Sequence, residues 1–134
     1  MERYPRLFIR AGLIYLAVGV VLGAAIGMNP DLSARLRFVH IHLNLLGFMT
    51  MMIAGVSYHV LPRFSARPLP WPDGVKYHFM LHNPGLIGML SAHMAGGYYG
   101  EGWIRAAFIL FAVMTACGLF FMFYNLYFVL SKPR

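Results

Sequence analysis

Four stretches of this chain carry no charged side chain: Ala11 to Met28, Phe38 to Pro62, Tyr77 to Gly100 and Ala106 to Ser131. Each has the length of about 18 or more residues that a helix needs to cross roughly 30 Å of hydrocarbon. Strands of a membrane barrel would alternate polar and apolar residues over about ten positions, and these runs do not. The reading is an all-α fold, a single bundle over residues 1–134 of four transmembrane helices near Leu7–Met28, Leu36–Leu61, Val75–Tyr99 and Trp103–Leu130. The first run is too long for the core of a cleaved signal peptide and is read as a retained helix. The lipid bilayer is then the chain's first partner.

Composition excludes the other classes. Charged residues make up 11% and apolar residues 60%. A soluble domain carries roughly 25% charged residues. Disorder needs the opposite balance, and a lone Cys117 cannot build a disulfide scaffold. The net charge of +7 reads as a topology signal. Arg3, Arg6, Arg10, Arg63, Arg67, Lys76, Lys132 and Arg134 fall on one side of the bundle, and Arg35, Arg37 and Arg105 on the other. Cytoplasmic loops carry the excess of Lys and Arg, so both termini are expected inside. Nucleic acid is not an expected partner, because the cations form no continuous patch.

Between the second and third helices, Pro62, Pro68, Pro70 and Pro72 preclude a continuous helix, and Trp71 reads as an interface anchor. Small residues recur at helical spacing in Gly12, Gly19, Gly23 and Gly27, and again in Gly88, Ala92 and Gly96. Such rows let helix backbones approach closely, either inside the four-helix unit or against a second protomer. Met49, Met51 and Met52 read as packing rather than ligands, Cys117 as a buried small hydrophobe, and Asn44 as an interhelical hydrogen-bonding residue.

All six histidines lie in the second and third helices: His40, His42, His59, His78, His82 and His93. Ionisable groups inside a membrane are costly and mark function by default. At 100° per residue, His78, His82 and His93 fall at about 0°, 40° and 60°, on one face of the third helix. His40 and His42 are about 200° apart, on opposite sides of the second. The two helices run antiparallel, so His42 is level with His93, and His59 with His78 or His82. Two layers of His pairs between helices suit b-type haems with two axial imidazoles. Covalent attachment is excluded, since no Cys-x-x-Cys-His occurs. Arg35, Arg37 and Arg105 stand beside the outer layer, where haem propionates would need cations. Carboxylates are confined to Glu2, Asp31, Asp73 and Glu101, outside the helix cores, so a carboxylate-based proton pump is not expected.

Two other readings stay open on the residues alone. The six histidines could serve as transient ligands of a copper or zinc carrier or channel. They could also be packed residues of a non-redox assembly subunit.

The stretches His40-Ile-His-Leu-Asn-Leu-Leu-Gly-Phe48 and Gly55-Val-Ser-Tyr-His-Val-Leu-Pro-Arg-Phe64, with His78-Phe-Met-Leu-His-Asn-Pro-Gly85 after them, resemble subunit I of the haem–copper oxidases. The likeness is strongest to the branch of the C-type oxidases and the large subunit of nitric oxide reductase, and covers about half of the chain. That subunit has twelve helices in three arcs of four, and this chain resembles one arc. The resemblance implies that His40 and His42 ligate different haems. It implies one or two haem b groups per protomer, a homo-oligomer such as a trimer, and a prokaryotic inner or plasma membrane. It further implies electron transfer or diatomic-gas handling linked to respiration or denitrification, with a cytochrome or quinol as redox partner. The family's copper site uses three His, two of them adjacent, and no His-His pair exists here. A complete oxidase or nitric oxide reductase is therefore not expected.

Overall fold

The computed structural model describes residues 2–97 and 99–131. Among them the fold is all-α, with four helices. α1 is Arg3–Met28. A 3₁₀ turn over Pro30–Leu32, N-capped by the Asn29 side chain, leads into α2. α2 runs from Ser33 to Phe64 in three stretches: α-helical Ser33–His42, π-helical Leu43–Met49 and α-helical Thr50–Phe64. α3 is Asp73–Met94 and α4 is Trp103–Leu130. The cations Lys132 and Arg134 lie outside the described residues.

Three helical spans are long and apolar enough to cross a membrane: Arg3–Met28, Pro30–Phe64 and Trp103–Leu130. Among the described residues three of the four expected spans are thus supported by length and composition, and α3 falls short of them in apolar character. Its sequence holds Asp73, Lys76, Asn83 and three histidines among the apolar residues. It also ends earlier than Tyr99. At Met94 the chain closes in a Schellman turn, with Gly97 N–H donating to Ala92 O and Gly96 N–H to His93 O. Gly96 takes φ +96°, a conformation that disfavours any residue with a Cβ. α2 ends the same way, with Arg67 N–H donating to Pro62 O and Ala66 N–H to Arg63 O. There the left-handed position (φ 52°) is held by Ala66.

α1 packs along α2, and α3 along α4, giving two hairpins that meet through α2 and α3. The small residues set both seams. Gly12 lies against Met51 and Met52, Gly19 against Asn44, and Gly23 against His40. This row therefore packs inside the chain, with only Gly27 left open. On the other seam, a Cβ on Gly88 would lie 2.4 Å from the Phe111 ring, and one on Gly85 2.6 Å from Thr115 Oγ1. Met51 is buried, whereas Met49 and Cys117 are exposed, so the cysteine is on the outer surface of α4 and not in the core. Asn44 donates within its own helix to His40 O (2.8 Å). The amides that join separate parts of the fold are Asn83, which accepts from Tyr15 Oη (2.8 Å), and Asn125, which accepts from Trp71 N–H (2.9 Å).

The outward faces are apolar. Leu13, Ile14, Val18, Val20 and Val21 on α1 are exposed, as are Ile109, Leu110, Val113, Phe120 and Phe123 on α4.

Candidate functional site

The histidines separate into an open group and an enclosed one. The open group sits at the end of the bundle that carries Arg37. There the Phe38 ring is stacked between two imidazoles, 3.9 Å from His42 and 4.0 Å from His93, centroid to centroid. His42 and His93 are thus level, as the antiparallel arrangement requires. His42 Nδ1 donates to Phe38 O one turn back, at 2.8 Å. His40, two residues earlier, points the other way, into α1, where its Nδ1 donates to Gly19 O at 2.9 Å. A carbonyl can only accept, so both Nδ1 atoms carry the proton and both Nε2 atoms keep a bare lone pair. Fixing one ring nitrogen with a backbone carbonyl is how metal-ligating histidines are commonly oriented.

A cavity of about 520 Å³ opens beside this stack, lined by Ser33, Arg37, Phe38, Ile41, His93 and Tyr99 among others. Arg37 is in its wall. Arg105, exposed on the first turn of α4, is not among the lining residues. The Nδ1 atom of His93 is buried and has no hydrogen-bond partner.

The enclosed group is His78 and His82, one turn apart on α3, both with no exposed surface. Their rings meet edge to face at 5.3 Å. His78 packs on Phe8 of α1 at 4.6 Å and shares a 3.0 Å hydrogen bond through Nδ1 with Tyr58 Oη of α2. His82 Nε2 donates to Leu46 O, 3.0 Å away in the π-helical stretch. From the other side Gly118 of α4 presses on His82, leaving 3.0 Å where a Cβ would stand. Burial by α1, α2 and α4, with His82 Nε2 already committed, leaves no room for a porphyrin between these two rings.

His59 joins neither group. Its neighbour Tyr58 faces His78, while His59 itself contacts Arg63, whose guanidinium reaches both the ring Nδ1 (2.8 Å) and the His59 carbonyl. The expected pairing of His59 with His78 or His82 is therefore not formed. The three histidines of α3 all contact α2, at Tyr58, Leu46 and Phe38 in turn.

Among the described residues, no three His, Cys, Asp or Glu side chains come together as a metal-holding group. A structural zinc site needs about four such ligands and a catalytic one about three. Haem iron needs only one or two axial nitrogens, and the bare Nε2 atoms of His42 and His40 supply that kind of donor. Within one chain, a haem between His42 and His93 requires the Phe38 ring to leave the space between them.

Two parts of this arrangement were missed from the sequence. Phe38 is spaced i, i+4 from His42 and could have been found as a stacking partner. The π-helical stretch has no local signature in Leu43-Asn-Leu-Leu-Gly-Phe-Met49.

Set against protein-family models, curated proteins and solved structures, the chain matches none. The likeness to the haem–copper oxidases rests on the quoted residues alone.

Proposed function

We propose that the chain is a membrane protein that binds b-type haem at the Arg37 end of the bundle, with His42 as the principal axial ligand. The apolar outward faces of α1 and α4 support insertion into lipid, where exposed Leu, Ile, Val and Phe are at no disadvantage. The observation that carries the haem reading is the pair of carbonyl-fixed imidazoles, His40 and His42, each left with a bare Nε2 on opposite sides of one helix. Arg37 lines the same cavity as His93, which supports the reading by offering a cation for a propionate. His93 is the second ligand if Phe38 swings out. If Phe38 stays, His42 meets a haem shared with another copy of the chain, which accords with the trimer that the family resemblance implies. Bound there, haem supplies reversible one-electron chemistry and, where one axial position is open, a site for a diatomic gas.

The role is electron transfer or handling of nitric oxide or oxygen in a prokaryotic cell membrane, with a cytochrome or quinol as electron partner and both termini cytoplasmic. The test is the absorption spectrum of detergent-purified protein, oxidised and dithionite-reduced, beside His42→Ala. Sharp α and β bands on reduction, lost in the variant, are expected for two axial imidazoles. A five-coordinate spectrum that shifts with carbon monoxide moves the reading to gas binding. Absence of a Soret band after haem reconstitution overturns the proposal, and copper and zinc analysis then separates a metal carrier from a packed assembly subunit.

A further inference from the structure

At the opposite end of the bundle a second cavity, of about 370 Å³, is lined by Glu2, Tyr58, Pro62, Arg63, Arg67, Leu69 and Pro72 among others. Arg67 is held there by a hydrogen bond to Ser131 O. Tyr58 is 3% exposed, so it closes the cavity from the bundle side. Behind its hydroxyl lie His78 and then His82, in a line that ends at the Leu46 carbonyl.

The hydrogen positions along this line follow from its far end. Leu46 O accepts, so His82 carries its proton on Nε2, and in the neutral ring its Nδ1 is bare. That Nδ1 and His78 Nε2 are both buried without a partner. Two bare nitrogens on adjacent rings would repel. The assignment that complements them has Tyr58 O–H donating to His78 Nδ1, which puts the proton of His78 on Nε2, opposite in character to the bare Nδ1 of His82. The donors then all point one way, inward from the Arg63 cavity, with a hydrogen bond formed from Tyr58 to His78 and from His82 to Leu46 O, and a gap between His78 Nε2 and His82 Nδ1 that the rings must close for transfer. The groups given against the two rings are Phe8, Tyr58 and Leu46, with Gly118 against the Cβ and backbone of His82, and none is a carboxylate.

We propose that Tyr58, His78 and His82 form a proton-loading relay, filled from the Arg63 end of the bundle only. None of the three is a proposed haem ligand, so the relay does not depend on the haem reading. The steps balance. Tyr58 gives its hydroxyl proton to His78 Nδ1 and regains one from a hydronium ion entering the cavity, which is left as water. His78, now doubly protonated, passes its Nε2 proton to His82 Nδ1. His82 becomes an imidazolium whose Nε2–H is already held by Leu46 O. One proton has entered, Tyr58 is restored, and His78 is left neutral with its proton on Nδ1.

The test uses histidine-¹⁵N-labelled protein in detergent, dithionite-reduced, followed by ring ¹⁵N shifts and by exchange of ring N–H into D₂O. The wild type is expected to show His82 protonated on Nε2 and both buried rings exchanging. Tyr58→Phe keeps the ring and its packing on Phe8 but removes the proton donor. It is expected to slow exchange at His78 and His82 about a hundredfold or more, the scale of a lost positioned acid–base group. His40, on the α1 side, is expected to exchange as in the wild type and reports that the bundle is intact. Unchanged exchange in Tyr58→Phe overturns the relay, as does a His82 protonated on Nδ1 or a wild type whose buried rings do not exchange.

Discussion

The two ends of the bundle use the same residue type in opposite ways. At the Arg37 end, His42 and His93 are partly exposed and stack on Phe38, and His93 and Phe38 border an open cavity. Deeper toward the Arg63 end, His78 and His82 have no exposed surface and are hemmed in by α1, α2 and α4. His42, His78 and His82 are each oriented by a hydrogen bond, so orientation alone does not separate a candidate ligand from a proposed relay. Access does. An imidazole with a bare nitrogen beside a cavity can take a large planar group, whereas one sealed behind a phenol can exchange only a proton.

Substitutions at the two ends should differ accordingly. Phe8 is wholly buried against His78, Tyr58 and Phe79. Phe8→Ala is expected to cost about 3–5 kcal/mol, read as a fall in thermal midpoint of the purified protein. Phe38→Ala, at the partly buried outer stack, should cost only about 1–2 kcal/mol. It should also raise haem retention, since it clears the space between His42 and His93; equal destabilisation by the two changes would erase the contrast. Ala66→Gly removes a Cβ from a left-handed position (φ 52°) at the end of α2 and is expected to stabilise by about 1 kcal/mol. Tyr15→Phe deletes the hydroxyl that Asn83 accepts from. Its expected cost is about 0.6 kcal/mol, the average for polar contacts between membrane helices, with no change in the haem spectrum.

The helices were legible because long uncharged runs have one physical solution in lipid, and α4 begins and ends at Trp103 and Leu130 as the sequence reading placed it. The third helix was read five residues too long at its end, because Ala95-Gly-Gly97 sits inside an uncharged run and the Schellman turn needs backbone geometry to be recognised. Helical arithmetic puts His40 and His42 on opposite sides of α2, and His40 bonds to Gly19 O of α1 whereas His42 shares the Phe38 ring with His93 of α3. The same arithmetic could not separate His59 from Tyr58 as the partner of His78. One residue is about 100° of rotation, and the intervening π-helical stretch adds an offset that spacing cannot supply. Nor could periodicity tell which of six histidines were sealed, because that depends on Phe8, Gly118 and Phe38 from three different helices.

The π-helical stretch Leu43–Met49 stands between the His40–His42 segment and the Tyr58 segment of one continuous helix. A π-turn is in effect a single residue inserted into an α-helix, with backbone bonds reaching i→i+5. It therefore acts as a phase shifter. The upstream half can present its imidazoles to α1 and to the Arg37 cavity while the downstream half turns Tyr58, and not His59, toward α3. Deleting one residue within Leu43–Met49 would restore uninterrupted α-helix and rotate one half against the other by about 100°. The spectrum of amino acids along the helix would be almost unchanged, but the outer imidazoles and the inner phenol could no longer both face their partners.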